Sequence, residues 1–302
     1  LSLLATLGLS LPCLAQVQIT ISINDAMIKD KVLSGVSVRA HPTKAGEAAV
    51  QGTSDARGEL RLLLPPGDYH MSYSKPGYVP IVDSPLSVQE PMKLTTSMSM
   101  MLEAAGQAGR RRVQVVLNWG QESEGVVQDV DLYMSCPWED GPLVVYFASR
   151  QAQQDKASAE LDVDDMDYGG PETITLLDPP PGDYPIWINS YSGPPEQLGT
   201  SQVRIRVLDG EQVLLEISPP QDWQGRDWRP VKLLHIDEQG AVSLVEFKPE
   251  ELNTGAPAIL PTGLESATGF LGCGSVTGSS ESKKTAASSS GSRPARPAAP
   301  AR

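Results

Sequence analysis

The chain has 302 residues, 20% of them charged, with a formal net charge of −13. Nearly all of that acidity falls between residues 110 and 250, which argues against nucleic acid, whose binding needs Lys and Arg to displace counterions, and against an anionic membrane surface. Three cysteines, Cys13, Cys136 and Cys273, are too few for a disulfide framework.

Residues 1–16, "LSLLATLGLSLPCLAQ", form an uncharged apolar run ending in small residues. They read as the h-region and cleavage site of a secretory signal peptide, with Cys13 and Ala15 at the two small-residue positions before the cut. The run is too short to span a bilayer as a helix, and no later stretch is apolar enough to do so. A lipoprotein leader would acylate Cys13, but Pro12 stands where such a leader wants Gly or Ala. The expected location is secreted or periplasmic.

From Val17 the pattern is short and alternating, with no sustained helical period. "VQITISI" puts Val17, Ile19, Ile21 and Ile23 on one face and Gln18, Thr20 and Ser22 on the other, a strand with one wet side. "GVSVRAHP", "ELRLLL", "YHMSYS" and "MKLTTSMSMM" follow, punctuated by turn chemistry such as "SDARG" and "PPGD". Strands so spaced predict a β-sandwich over residues 17–105. Thr53, Asp55 and Gly58, then Leu64-Pro65-Pro66-Gly67-Asp68-Tyr69, then Lys75-Pro76-Gly77-Tyr78 resemble the carboxypeptidase regulatory-like domain, a transthyretin-like sandwich. That resemblance implies an accessory, non-catalytic role. Related Cna-B-type domains form Lys–Asn isopeptide bonds; Asn24 is the only Asn in this segment and is absent from its last strand, so none is expected.

"EAAGQAGRR", residues 103–111, reads as a short linker. A second all-β segment over 110–250 begins with "VQVVLNW" and "DVDLYMSC" and ends with "AVSLVEF", and the turn "PPGDY" recurs at Pro180 to Tyr184. Asp129 and Asp131 alternate with Val130 and Leu132, and Asp162 and Asp164 with Leu161 and Val163, before the acidic run continues through Asp165, Asp167 and Glu172. Carboxylates two apart on a strand lie roughly 6–7 Å apart on one face. Each such pair repels by ~0.6 kcal/mol in water and ~2.5 kcal/mol at a surface-like dielectric. Two such strands meeting require a cation or arginines between them. The seven acids Asp129, Asp131, Asp162, Asp164, Asp165, Asp167 and Glu172 are the ligand chemistry of calcium, which takes about six to eight oxygens in a flexible shell. Their spacing does not match an EF-hand. Two alternatives stay open: a solvated acidic face, or ion pairing to Arg204 and Arg206 on one face of "QVRIRV".

The order of these motifs, a Trp followed by D-x-D-L-x, then D-x-D, then G-x-E-x-I, then P-G-x-Y-x-I, resembles the secreted YfaP-like family, related in pattern to bacterial pre-peptidase C-terminal domains. Tyr133 stands where that family often has His. The resemblance implies an exported, commonly non-catalytic sandwich, with calcium bound in some relatives.

"QDWQGRDWRP" offers Trp223 and Trp228 beside Arg226 and Arg229, a set that can stack on a sugar or anchor a protein, or simply close the end of the sandwich. His41, His70 and His235 come with no nucleophile elbow and no zinc spacing. A carboxylate pair for glycoside hydrolysis could sit in the acidic run, but so many acids give that signal no specificity. Residues 251–302, rich in Gly, Ser, Pro and Ala, cannot bury enough apolar area to offset their ordering entropy and are expected to be disordered. The expectation is therefore all-β: two tandem β-sandwich domains between a signal segment and a disordered tail. It is not an enzyme but a binding or structural module, with a protein or polysaccharide of the cell surface as partner. Calcium-dependent carbohydrate binding is the alternative, and a carboxylate-based glycoside hydrolase a further one.

Overall fold

The computed structural model describes residues 16–122, 126–138, 143–192, 198–219 and 229–245. The leader-like run through residue 15, Trp223 and Trp228, Cys273 and the Gly/Ser/Pro/Ala-rich tail lie outside the described residues.

The protein is all-β, two stacked sandwiches. The first takes β1 (Val17–Asp25), β2 (Ser37–Pro42), β3 (Val50–Thr53), β4 (Glu59–Leu64), β5 (Gly67–Ser74), β6 (Ile81–Val88) and β7 (Met92–Met98). They form a sheet in the order β4-β1-β7 facing a sheet in the order β3-β2-β5-β6. The predicted alternation of β1 holds: Ile19, Ile21 and Ile23 are buried against Leu62, Leu64, Met71 and Tyr73, while Gln18 is exposed. Sequence reading passed over β3 and β6; β3 is four residues long, and β6 carries Pro85 and exposed Asp83 among its apolar positions.

The second sandwich takes β8 (Arg112–Asn118), β9 (Asp129–Cys136), β10 (Leu143–Val145), β11 (Gln151–Gln154), β12 (Ala157–Val163), β13 (Glu172–Leu177), β14 (Gly182–Ser192), β15 (Arg204–Asp209), β16 (Gln212–Ile217), β17 (Arg229–Ile236) and β18 (Val242–Val245). Its sheets run β10-β9-β14-β17-β18 and β11-β12-β13-β8-β15-β16. Val115, Leu117, Leu132, Ile174, Ile186 and Ile205 meet in its core. Cys136 lies in this core as a free thiol, and burial pushes its pKa up to about 12, so it behaves as a small hydrophobe.

Both sandwiches solve the same local problem in the same way. In each "PPGDY" turn the tyrosine ring enters the core and its hydroxyl donates back four residues, Tyr69 to Pro65 O and Tyr184 to Pro180 O, both at 2.7 Å. This resembles the tyrosine corner of Greek-key sandwiches in its geometry. Tyr69→Phe and Tyr184→Phe are each expected to cost about 1 kcal/mol in a denaturant melt, one net hydrogen bond without loss of ring packing. A cost near zero at both positions would show that the corner does not hold the turn.

The sandwiches meet through the β4-β1-β7 sheet and the outer face of the β8 sheet. That is why β8 is buried along its whole length, Arg112 and Gln114 included. Ala26 and Val79 of the first sandwich pack against Val116 and Leu208 of the second. Around this plug the contacts are polar. Ser97 N–H donates to Asn118 Oδ1 at 3.2 Å and Asn118 Nδ2 returns a bond to Ser97 Oγ at 2.9 Å. Arg112 Nη2 donates to Met100 O at 2.8 Å, and Arg206 Nη1 to Ser97 O at 3.2 Å. Residues 103–111, read as a linker, are a run of turns, with Gln107 N–H donating to Leu102 O at 2.8 Å and Gln107 Oε1 accepting from Arg112 Nη1 at 3.2 Å.

Candidate metal centre

Strand β9 leaves its partner early. The β10 pairing covers only Met134 to Cys136, so beyond Met134 that edge of β9 is open and the Leu132 N–H needs another acceptor. Glu172, the first residue of β13 in the opposite sheet, supplies it: its Oε2 accepts from Leu132 N–H at 2.5 Å. Asp129 and Asp131, on the same stretch of β9, bring their carboxylates to the same place. One oxygen from each of Asp129, Asp131 and Glu172 lies within 4.8 Å of the other two.

All three residues are buried, with Asp129 and Asp131 at 0% and Glu172 at 1% exposure. Glu172 Oε1 has no hydrogen-bond partner among the described residues. Burial, then the charges of Asp131, Asp164 and Asp129, push the Glu172 carboxyl well above the usual carboxylate range. Two unit charges 4.8 Å apart repel by about 3.5 kcal/mol at an effective dielectric of 20. Ionising all three out of water therefore needs a counter-charge. The donors are hard oxygens, so the residues fit a divalent cation of the calcium or magnesium type rather than a soft-ligand metal.

Sequence reading missed Asn189. It stands directly across from Asp131 in the β9–β14 register, and its Oδ1 is buried with no hydrogen-bond partner among the described residues. The signal was present in "WINSYS", where Asn189 follows the apolar run Ile186-Trp187-Ile188.

The other four predicted ligands go elsewhere. On β12 the alternation holds through the register shift between Leu161 and Val163, so Asp162 stands on the face opposite those two apolar residues. Asp162 instead accepts from the Thr175 hydroxyl, and Thr175 accepts from Gln114 Nε2 at 2.7 Å. Asp164 faces Arg150 at 3.7 Å, and its backbone carbonyl accepts from Lys29 Nζ at 2.9 Å, so it acts on Glu172 through its field. Asp165 caps its own turn, accepting from Asp167 N–H at 3.2 Å, while Asp167 accepts from Gln128 Nε2 at 3.3 Å. Arg204 and Arg206 do not neutralise the acidic strands, as one alternative had it. Both turn to Glu216, Arg206 at 2.7 Å and Arg204 at 3.7 Å, because β15 pairs with β16 and lies on the seam side of its sheet. A separate surface cleft of about 890 Å³ runs between Trp138, Pro137, Pro180 and Pro181 and holds none of the predicted ligands.

No family model matches the chain. No curated protein matches it. Among solved structures it is similar to SAV2460, a protein of unknown function, at 16% identity and a TM-score of 0.33, over 48% of this chain and 95% of that one. It is also similar to a DUF3823 family protein from Bacteroides uniformis, at 11% identity and a TM-score of 0.24, over 76% of this chain and 100% of that one. A third is the full-length major pilin SpaD from Corynebacterium diphtheriae, at 8% identity and a TM-score of 0.23, over 79% of this chain and 93% of that one. Among the described residues no helix is long and apolar enough to cross a membrane.

Proposed function

We propose that the protein is an exported, non-catalytic module that serves as a structural or binding part of the cell envelope or extracellular space, and that calcium bound by Asp129, Asp131 and Glu172 stabilises its second sandwich. The observation that carries the reading is Glu172, a buried carboxyl with one oxygen that has no hydrogen-bond partner among the described residues and two aspartates within 4.8 Å. A cation there would turn mutual repulsion into attraction and would tie β9 to β13, strands of opposite sheets with no backbone ladder between them. Calcium is preferred to magnesium because it accepts an irregular shell of protein oxygens, whereas magnesium parts reluctantly with its water. Export is supported by the leader-like residues 1–16.

The test is a thermal melt of the full chain in chelator, in calcium and in magnesium. At a hundredfold excess over Kd a bound ion adds about 2.7 kcal/mol, which for a protein of this size raises Tm by about 5–10 °C. Asp131→Asn and Glu172→Gln are each expected to abolish the shift. A midpoint that no divalent ion moves would overturn the site.

A further inference from the structure

The metal centre is not isolated within the second sandwich. The segment immediately before Glu172, residues 164–171, lies along the seam with the first. At its start the Asp164 carbonyl accepts from Lys29 Nζ at 2.9 Å. At its end the Gly170 carbonyl accepts from Asn24 Nδ2 at 3.4 Å. Between them Gly169 presses on β7 so closely that a Cβ there would stand 2.5 Å from Thr95 Oγ1. Gly169 and Gly170 have φ of +100° and +74°, so the chain reaches this contact only with glycines. The Gly169 carbonyl also accepts from Trp119 N–H and from Asn118 Nδ2, each at 3.2 Å, and Asn118 is the residue that bonds Ser97 across the seam.

Glu172 thus follows directly on a strap that contacts both sandwiches, the first through Lys29, Asn24 and Thr95 and the second through Trp119, Asn118 and Gln128. Asn24, on β1 rather than on the last strand, is one of the strap's anchors. With no cation, ionising all three buried carboxyls is opposed by their mutual repulsion, and Glu172, at the start of β13 where the connecting segment joins it, is the one whose displacement moves that segment. Displacing it draws Gly169 and Gly170 away from Thr95 and Asn24. With a cation, Glu172 is held to Asp129 and Asp131, and the strap is held to the seam.

We infer that cation occupancy at Asp129, Asp131 and Glu172 fastens the two sandwiches to each other, making the site a divalent-ion lock on the angle between them. The inference rests on the calcium reading above. Linkage makes the coupling reciprocal: contacts that dock the strap on the first sandwich must also raise the affinity for the ion.

Two measurements on the full chain separate the possibilities. Calorimetric titration with calcium chloride reads binding. Hydrogen exchange reads docking at the Ser97 amide, which belongs to the first sandwich but donates to Asn118 of the second, with the Met71 amide in the first sandwich's own interior as control. The expected result is binding, with Ser97 protection rising by tenfold or more and Met71 changing little. Asn24→Ala, which removes a strap anchor without touching the site, is expected to weaken calcium binding by about two- to tenfold, the worth of one hydrogen bond. Gly169→Val, if it folds, is expected to weaken it further. Calcium that binds while Ser97 exchange and the Asn24→Ala affinity stay unchanged overturns the lock and leaves the site standing. No binding at all overturns the site, and the lock with it.

Discussion

Arg206→Ala is expected to destabilise the protein by about 3–5 kcal/mol, read as a shift in denaturant midpoint. The guanidinium is 4% exposed and makes bonds in two directions. Nε and Nη2 donate to Glu216 Oε2 at 3.0 and 2.7 Å, and Nη1 donates across the seam to Ser97 O at 3.2 Å. Burial pushes the Glu216 carboxyl up, but Arg206, the Ser84 hydroxyl and Arg204 outweigh it and hold it below the usual range. Truncation would leave that carboxylate buried with the Ser84 hydroxyl and Arg204 at 3.7 Å as its remaining partners and would strip a carbonyl of its donor. Arg206→Lys keeps the charge but loses the planar fork, so it should fall between wild type and alanine. Arg206→Met combined with Glu216→Leu should recover most of the loss, because removing both charges removes the desolvation cost as well. A cost under 1 kcal/mol for Arg206→Ala would mean that the seam's polar layer contributes little to holding the two sandwiches together.

The second large effect is one of pH. Asp162 sits under Thr175 and near Gln114, with Glu160 and Arg112 as its nearest charges, and burial raises its pKa to about 7. The unfolded value is about 3.9. A carboxyl raised in the folded state contributes stability that is fully present below its unfolded pKa and is lost as pH rises through its folded pKa. Between pH 4 and 7 this group therefore makes the fold less stable with each step up, reaching about 4 kcal/mol at most by pH 8. Asp162→Asn should remove that slope and raise stability at pH 8 by a comparable amount. The amide still accepts from Thr175, and its new donor meets Gln114 Oε1, which has no hydrogen-bond partner among the described residues. Urea melts of both proteins from pH 5 to 8 in constant chelator would read this. Parallel stability curves would show that Asp162 does not titrate in that range.

The period-2 alternation in β1, β4 and β9 was legible because each has a distinct apolar face, and the recurrent "PPGDY" announced its turns through proline and glycine geometry. Asp129, Asp131 and Glu172 were all within the predicted ligand set. What could not be read was the selection among seven acids. That selection depends on where β10 stops, which opens the Leu132 N–H to Glu172, and on the β12–β13 pairing, which sets Asp162 beside Thr175. Both are facts of register, and register is set by partners far away in sequence. The seam was invisible for a related reason. Alternation reports whether one face is polar but not whether that polar face meets water, so it does not show that Arg112, Gln114 and Asn118 are buried, as all three are.

That buried polar face has a consequence for modularity. Residues 103–111 look by composition like a safe place to join or exchange domains. A crossover there would separate Arg112 from the carbonyl of Met100, Asn118 and Arg206 from Ser97, and Val116 from Ala26 and Val79. A new neighbour would have to present the same carbonyls, hydroxyls and small apolar side chains at the same places. The two sandwiches can therefore change sequence only in step, and the pair rather than either half is the unit that can be inherited or transplanted.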